Sequence, residues 1–478
     1  VTPRPRKQLR AFSGKGRYVG QPVEIVQGDD IVRGMPVFVT DIRLPEMVYG
    51  RVLRAPASPE IASRPISWNA DAASTVPGFV AIIEDDRFYL GGSLGIGIIA
   101  ATPGGLDPIT EALDVRWQVD GSFEQADVDN AIDIDRRLAK GRLAHEVRTD
   151  DIGAETNWDI DLRFDIPAAA HAPIESRCAV ARVNRQDVME IWVGHQSTFY
   201  VRDHVANILG RSKKKISVKA QRVGGGFGGK ALCLVEPEAA VLAEVTGSPV
   251  KVQWTRTQEY RFAYHRPPTS HRVRARLKDG QLDNWHHAFA SNHIFFSNAA
   301  MPRWVHLGTD LLVGDPGVAR GSQLHYRTNA ARIEYDVERL PVLGGPWRGL
   351  GAGPNMLAME STIDECAIAA GRDPLEYRQQ HIQDPRLAGV LTRVGEIAGW
   401  PGKSQAPGGQ SRVGRGVACG IYKSMSYAAT IADVAVERDG TVRVTKLWCT
   451  HDCGLVVNPD QVRAQCEGNL VWGIGMVL

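Results

Sequence analysis

The sequence lacks any run of about 18 apolar residues, so it is predicted to contain no membrane-spanning helix. It also lacks an excess of either charge: 56 lysines and arginines face 54 aspartates and glutamates, for a net charge of +2. No bulk electrostatic field would therefore attract nucleic acid or an anionic membrane. The basic residues near the start, from Arg4 to Arg10, are followed by no apolar segment, which argues against a signal peptide.

Cysteine is scarce and scattered. Seven cysteines in an odd, unclustered set argue against a disulfide framework, and their spacing matches no iron–sulfur motif. Cys449-Thr-His-Asp-Cys453 is the one group that resembles a metal site, because cysteine and histidine are common ligands. On a strand, Cys449, His451 and Cys453 would share one face but spread over roughly 13 Å, too far to bind one ion. We therefore interpret this group as structural.

The composition that remains is that of an ordinary globular protein. The 478 residues, 43% of them hydrophobic, are enough for two to four domains. Their apolar patterns predict a multidomain fold of mixed α/β and α+β type. We expect an extended arm over 1–33, a small α+β domain over 34–121, an irregular connecting segment over 122–160, a large α/β-layered domain over 161–413, and the start of another domain over 414–478.

A glycine-rich loop, Val223-Gly-Gly-Gly-Phe-Gly-Gly-Lys230, is the strongest local signal. It lies between a predicted strand, Ile216–Val218, and a predicted helix, Glu236–Glu244. Glycines in such a position let backbone N–H groups approach a phosphate. An ATP-binding Walker A loop is disfavoured because Ala231 stands where a hydroxyl should bind Mg²⁺. A dinucleotide fingerprint fits formally, but no clear acidic residue at the end of a strand follows about twenty residues on, and Glu259 comes late.

Three further segments accompany this loop along the chain. They are a strand ending in Ile191-Trp-Val-Gly-His-Gln196, the stretch Gly344-Gly-Pro-Trp-Arg-Gly-Leu-Gly-Ala-Gly-Pro-Asn355, and Asp452-Cys-Gly-Leu-Val-Val-Asn-Pro459 with Gln465-Cys-Glu-Gly468. In this order the four segments resemble the molybdopterin-binding large subunit of the molybdenum hydroxylases, the xanthine dehydrogenase and aldehyde oxidoreductase family. The Pro-Trp-Arg-Gly form of one segment is most similar to the isoquinoline 1-oxidoreductase branch.

The resemblance implies roles for particular residues. It implies that 34–121 is the family's hammerhead domain, that 161–413 is molybdopterin-binding domain I and that 414–478 begins domain II. It makes Gln196 the amide beside the molybdenum and Arg348 the arginine of the active site. The metal is held through its pterin and not by side chains. The pterin is expected at Gly225, Gly226, Phe227 and Gly228, at Arg348, and at a Gln-x-Glu-Gly turn containing Gln465 and Gly468.

Two features depart from the family pattern. The family's general base is a glutamate in a Gly-Glu motif far beyond the Gln-x-Glu-Gly turn, and this chain reaches Leu478 soon after that turn. Glu396 and Glu467 do not match it. We therefore expect either a second polypeptide carrying the rest of the large subunit or a fragment. Trp347 stands where xanthine-type members have a smaller residue, which favours an aldehyde or an aromatic N-heterocycle over a purine.

The activity implied by the resemblance is hydroxylation with oxygen from water, with electrons passing to [2Fe–2S] clusters. The cofactor would be molybdenum-molybdopterin in its cytosine dinucleotide form. The implied partners are a small [2Fe–2S] subunit, the second chain, and a cytochrome c or flavin subunit. Two alternatives remain open: a non-catalytic cofactor-holding subunit and a nicotinamide-dependent dehydrogenase. The compartment also stays open between the cytoplasm and the periplasmic face of the inner membrane.

Overall fold

The computed structural model describes residues 17–153, 157–296, 306–402 and 412–478, and it has the mixed α/β architecture that the sequence predicts. Its strands occur in every predicted domain. They are β1 (Val48–Leu53), β2 (Ser63–Ser67), β3 (Phe79–Ile83), β4 (Tyr89–Leu90), β5 (Ser93–Leu94), β6 (Ile96–Ala100), β7 (Arg116–Val119), β8 (His145–Thr149), β9 (Ile160–Ile166), β10 (Cys178–Val183), β11 (Met189–Val193), β12 (Ile216–Ala220), β13 (Val250–Gln253), β14 (Thr269–Lys278), β15 (Gln281–Asn292), β16 (Ala330–Glu338), β17 (Arg412–Tyr422), β18 (Ser426–Val436) and β19 (Val442–Asp452).

The helices connect these strands and cover their sheets. They are α1 (Gly28–Val32), α2 (Ala70–Ser74), α3 (Leu106–Leu113), α4 (Gln125–Ala131), α5 (Ile134–Leu138), α6 (Thr198–Leu209), α7 (Val235–Thr246), α8 (Arg256–Phe262), α9 (His306–Gly308), α10 (Ala352–Ala369), α11 (Pro374–His381), α12 (Pro385–Ala398) and α13 (Pro459–Val477). No helix in these described ranges is long and apolar enough to cross a bilayer.

A seven-stranded sheet joins the small N-terminal domain to the larger one. Its strand order is β12-β11-β10-β13-β1-β6-β3, and β1 pairs in parallel with β13, Val48 lying opposite Val250. Helix α7 covers this sheet, and every residue from Val235 to Ala243 is buried. A helix enclosed on all sides is apolar around most of its circumference, which explains its alanine-rich sequence. The first domain therefore builds no independent sheet there but extends the sheet of the second.

The remaining strands form three further sheets. The five-stranded sheet has the order β8-β16-β15-β14-β9, the three-stranded sheet β17-β18-β19, and the small four-stranded sheet β4-β5-β2-β7. One large apolar core spans the first two of these sheets and α10, and includes Trp285, Met359 and Ile431. This shared core couples the domain over 414–478 to the domain before it.

Most element predictions are confirmed, and a few are wrong. The strand predicted before the glycine loop occurs as β12. The sequence pattern also predicts a helix over Thr198–Leu209 and a hairpin at Asp439-Gly440, and both are present. The segment 122–160 is not irregular, because it contains α4, α5 and β8, and Asp133 caps the start of α5. The β-branched run Pro36-Val-Phe-Val-Thr40 predicts a strand, but the structure has a 3₁₀ turn over Val39–Asp41 there. Of the predicted arm, residues 1–16 lie outside the described ranges.

Candidate functional site

The glycine loop takes a conformation that side chains rarely adopt. Gly225 and Gly228 have φ values of +97° and +101°, and Phe227 between them has +55°. A Cβ added at Gly228 would lie 2.3 Å from the carbonyl oxygen of Pro346, and one at Gly224 would lie 2.4 Å from Cβ of Glu175. Contacts this short exclude any side chain. The loop therefore needs glycine for two reasons: to pack closely against neighbouring segments of the chain and to leave its backbone N–H groups accessible.

The N–H groups of the loop divide into two sets. Gly224 donates to Oε2 of Glu175 and Gly228 donates to Oε1 of Gln196, each at 2.9 Å. The N–H groups between them, those of Gly225, Gly226 and Phe227, donate to no acceptor in the described ranges. Successive N–H groups in a turn form a concavity that attracts anions and other acceptors. The loop thus fits a phosphate-bearing or pterin ligand.

Two ion pairs support the loop from below. Lys230 Nζ lies 3.0 Å from Oε2 of Glu175, and both side chains are buried. Arg177 pairs with the buried Glu259 and also donates from Nη2 to the Gly229 carbonyl at 2.6 Å. Removing one partner of a buried pair leaves an uncompensated charge, which is strongly destabilising. These pairs therefore hold both ends of the loop in place.

His171 packs directly beneath the loop. A Cβ at Gly229 would lie 2.7 Å from its ring, and its Nε2 donates to the carbonyl of Pro346 at 2.8 Å. Burial lowers the pKa of His171 to about 4, so the imidazole is neutral near pH 7 and carries its proton on Nε2. The motifs in the sequence do not predict this supporting role. Its one visible sign is that Glu175 and Arg177 stand just before the apolar strand β10.

Arg348 and Gln465 meet above the loop. Arg348 donates from Nη2 to Oε1 of Gln465 at 2.7 Å, and its guanidinium lies 5.8 Å from the Phe227 ring centroid. Trp472, also on α13, contacts Phe227 with ring centroids 4.1 Å apart and stacks on Trp347 at 5.0 Å. Burial lowers the pKa of Arg348 from its ordinary value, although the group remains a cation at neutral pH. Gln196 also accepts a hydrogen bond from Gly228, so the structure brings all four predicted segments together.

Two predicted features differ from expectation. The Gln-x-Glu-Gly sequence is not a turn, because it lies inside the continuous helix α13. Gly468 has open space around it, with nothing within 4 Å of an added Cβ, and it does not touch the loop. Trp472, which the sequence analysis did not select, is the α13 residue that contacts Phe227. In the sequence, Trp472 stands seven positions after Gln465, which is about two turns of a helix and places both side chains on the same face.

The structure around the glycine loop does not match that of a dinucleotide-binding site. In that motif the helix starts within the glycine sequence, so that its N-terminus meets the pyrophosphate. Here a 3₁₀ turn begins at Gly229, and α7 begins only at Val235. Glu259, the one acidic candidate for a ribose, is buried against Arg177. The arrangement around the loop therefore argues against the nicotinamide-dependent alternative.

Comparison with known proteins agrees with this geometry. The family described as the molybdopterin cofactor-binding domain matches residues 140–382, and a second domain of that description matches 400–478. A nicotinate dehydrogenase polypeptide of Pseudomonas putida is 29% identical over 97% of this chain and 40% of its own length. The beta subunit of isoquinoline 1-oxidoreductase from Brevundimonas diminuta is 25% identical over 94% of this chain and 57% of its own length. The chain thus spans about half the length of these two relatives.

A solved structure shows the same fold. Quinoline 2-oxidoreductase from Pseudomonas putida 86 superimposes with a TM-score of 0.67 at 18% identity, over 90% of this chain and 62% of that one. The family match covers more than half of the chain, including the glycine loop, Gln196 and Arg348. The chain therefore belongs to the molybdopterin cofactor-binding family, as a molybdopterin-binding subunit of the molybdenum hydroxylase type.

Proposed function

We propose that this chain is the molybdopterin-binding subunit of a hydroxylase that oxidises an aldehyde or an aromatic N-heterocycle with oxygen from water. The observation that carries the proposal is the junction where Arg348 and Gln465, from two different domains, meet above the glycine loop. Three N–H groups of that loop have no acceptor among the described residues. Such a junction offers donors on both sides of a bound ligand. Its two sides come from the two domains that match the family.

The cofactor would be held by the loop, by Arg348 and by α13. When bound, molybdenum-molybdopterin supplies the oxygen-transfer and two-electron chemistry. The Oε1 of Gln196 accepts from Gly228, which leaves its amide nitrogen without an acceptor in the described ranges and available to the metal centre. Beside Arg348 lies a groove of about 670 Å³ between α10 and β18, which also includes Asn469. That groove has room for the nucleotide arm of a cytosine dinucleotide form.

The proposed substrate pocket is a separate cavity of about 620 Å³ behind α6. Tyr200 and His204 of α6 line it, together with Tyr264. Burial lowers the pKa of His204, so the imidazole is neutral near pH 7. The charged wall residues are compensated: Arg54, for example, lies 2.5 Å from the buried Glu238. Aromatic walls with balanced charge favour a neutral substrate, as an aldehyde or an uncharged heterocycle would be.

Electron transfer requires partners. We propose a small [2Fe–2S] subunit, with a cytochrome c or flavin subunit as the final outlet. The surface of α13 supports such a contact: the helix has no buried residue, and Val471 and Val477 are 67% and 74% exposed. Apolar side chains this exposed on one helix commonly mark an interface.

A cofactor-holding subunit without activity of its own is the second candidate. It is favoured by one observation, the state of the two carboxylates nearest the loop and α13. Glu175, the carboxylate that touches the loop, is engaged with Lys230, and Glu467 lies on the exposed surface of α13. Neither carboxylate is therefore free at the loop to act as a base. This candidate predicts cofactor binding without turnover.

Purification from the native source distinguishes these candidates. The hydroxylase predicts co-purifying pterin, molybdenum and iron–sulfur absorbance, and label from H₂¹⁸O in the oxidised product of an aldehyde or N-heterocycle. Gln196→Ala should lower turnover at least tenfold with pterin retained, whereas the surface variant Lys213→Met should behave as wild type. Pterin without turnover in the complete complex would support the cofactor-holding subunit. Absence of pterin from the purified complex would overturn both.

A further inference from the structure

Three of the seven cysteines gather at one place. Cys449, Cys453 and Cys466 line a cavity of about 500 Å³ between the three-stranded sheet and α13. The other four cysteines are buried, whereas these three are partly exposed. The cavity also includes Gln465, the partner of Arg348. The accessible thiols are therefore concentrated beside the proposed cofactor junction.

Two of these thiols come from different elements. Cys449 lies on β19 and Cys466 on α13, both line the cavity, and each is close enough to affect the pKa of the other. Cys449 also donates weakly to the Thr450 carbonyl at 3.7 Å. Cys453 lies beyond the end of the strand, on the same side of the cavity. The pair thus bridges a strand and a helix that are otherwise separate elements.

A metal ion does not explain this group. Across the described ranges no three histidine, cysteine, aspartate or glutamate side chains are placed to hold one ion. Burial raises the pKa of Cys449, and raises that of Cys466 to about 11, so both are neutral thiols near pH 7. Neutral thiols bind soft metals poorly and react slowly, because the thiolate is the reactive form. Both are free thiols in the structure.

We propose that Cys449 and Cys466 form a redox-modification site, in which a hydroperoxide converts the two thiols into a reversible disulfide. One sulfur attacks the peroxide, the O–O bond breaks, and a sulfenic acid forms with release of one water. The second sulfur attacks the sulfenic sulfur, an S–S bond forms, and a second water leaves. With hydrogen peroxide, two thiols and one peroxide yield one disulfide and two waters, and a dithiol reverses the reaction.

The cross-link would fix α13 against β19. Cys466 adjoins Gln465, and Trp472 lies on the same helix above Phe227. Oxidation would therefore restrict the helix that closes the glycine loop from the side of the second domain. We expect slower exchange of a bound cofactor in the oxidised form. This consequence rests on the proposed function, whereas the disulfide itself does not.

The disulfide can be tested first, without reference to any cofactor. The purified native protein, with any co-purifying chains, is treated with hydrogen peroxide and analysed by intact mass and peptide mapping. We expect loss of two hydrogens, one peptide pair joining Cys449 to Cys466, and recovery with dithiothreitol. Cys449→Ser and Cys466→Ser should each abolish the cross-link, and Cys453→Ser should retain it. A link through Cys453, a link between molecules, or oxygen addition alone would overturn the proposal.

The cofactor effect is a separate measurement. Release of pterin over time is compared in the oxidised and reduced wild type and in Cys466→Ser. We expect release to be about tenfold slower in the oxidised wild type and insensitive to oxidation in the variant. If pterin is released equally fast from the oxidised and reduced wild type although the cross-link is present, the proposed effect on cofactor exchange is wrong. The proposal of a disulfide site would not be affected. Absence of pterin at the outset would count against the proposed function and not against the disulfide.

Discussion

Arg348 donates a hydrogen bond to Gln465 at 2.7 Å although 117 positions separate the two residues. The same guanidinium lies 5.7 Å from the ring centroid of Trp472, so Arg348 contacts α13 at two points. A hydrogen bond to a charged donor and a cation–π contact both favour this geometry. The two domains are thereby joined at the place where the cofactor is proposed to bind.

The first prediction concerns that junction. Arg348→Ala and Gln465→Ala should each destabilise the protein, and the double variant should lose less than the sum of the two. We expect a coupling energy of about 1 kcal/mol, because the bond is charge-assisted but partly exposed. Urea unfolding of the four proteins of the cycle measures it. Arg393→Ala, at an exposed arginine of α12, is the matched control and should not couple to Gln465→Ala. Additive losses at Arg348 and Gln465 would contradict the prediction.

The second prediction concerns the glycine loop. Gly228→Ala should destabilise the protein by about 2 kcal/mol or more, because the added Cβ meets the Pro346 carbonyl and φ is +101°. Gly104→Ala is the control, since nothing lies within 4 Å of its added Cβ. It should change the free energy of unfolding by less than about 0.5 kcal/mol. Equal effects of the two substitutions in urea unfolding would show that the loop tolerates a side chain.

The third prediction concerns the buried pair beneath the loop. Lys230→Met should lower the free energy of unfolding by about 3 kcal/mol, because Glu175 would remain buried without a cation. Adding Glu175→Gln should restore part of that loss. Lys213→Met removes a lysine of similar length whose ion pair with Asp203 is exposed, and it should cost less than about 1 kcal/mol. A small effect of Lys230→Met in chemical denaturation would mean that the pair is hydrated.

The fourth prediction concerns pH. Burial lowers the pKa of His171 from 6.5 to about 4, so the unfolded chain binds the proton more tightly than the folded protein. The stability contributed by the neutral ring is therefore complete above about pH 6.5 and is lost as the pH falls toward 4. Between pH 8 and pH 5 this loss amounts to about 2 kcal/mol.

His171→Gln tests this assignment. The variant should show a smaller decrease in stability between pH 8 and pH 5 than the wild type, when both are measured by urea unfolding. The difference between the two proteins at pH 8 reports only the altered packing, because the histidine is neutral there in both states. An unchanged pH dependence in the variant would show that His171 does not contribute to it.

Local patterns predicted which segments come together at the loop. Gln196, Phe227 and Arg348 could be selected because each lies in a short motif whose glycines and flanking elements are visible in the sequence. The reason why position 228 requires glycine could not be predicted. It arises from the carbonyl of Pro346, more than a hundred positions away, and the sequence carries no sign of that contact.

The sequence by itself determined the family, the motif residues and most of the strands and helices, since these depend on neighbouring residues and on the apolar period. Only the tertiary structure decided which residues support the site. The pairing of Lys230 with Glu175, the seven-stranded sheet shared between two domains and the approach of Trp472 to Phe227 all join distant segments. Such contacts depend on the burial of whole surfaces, and no local pattern of charge or hydrophobicity specifies their partners.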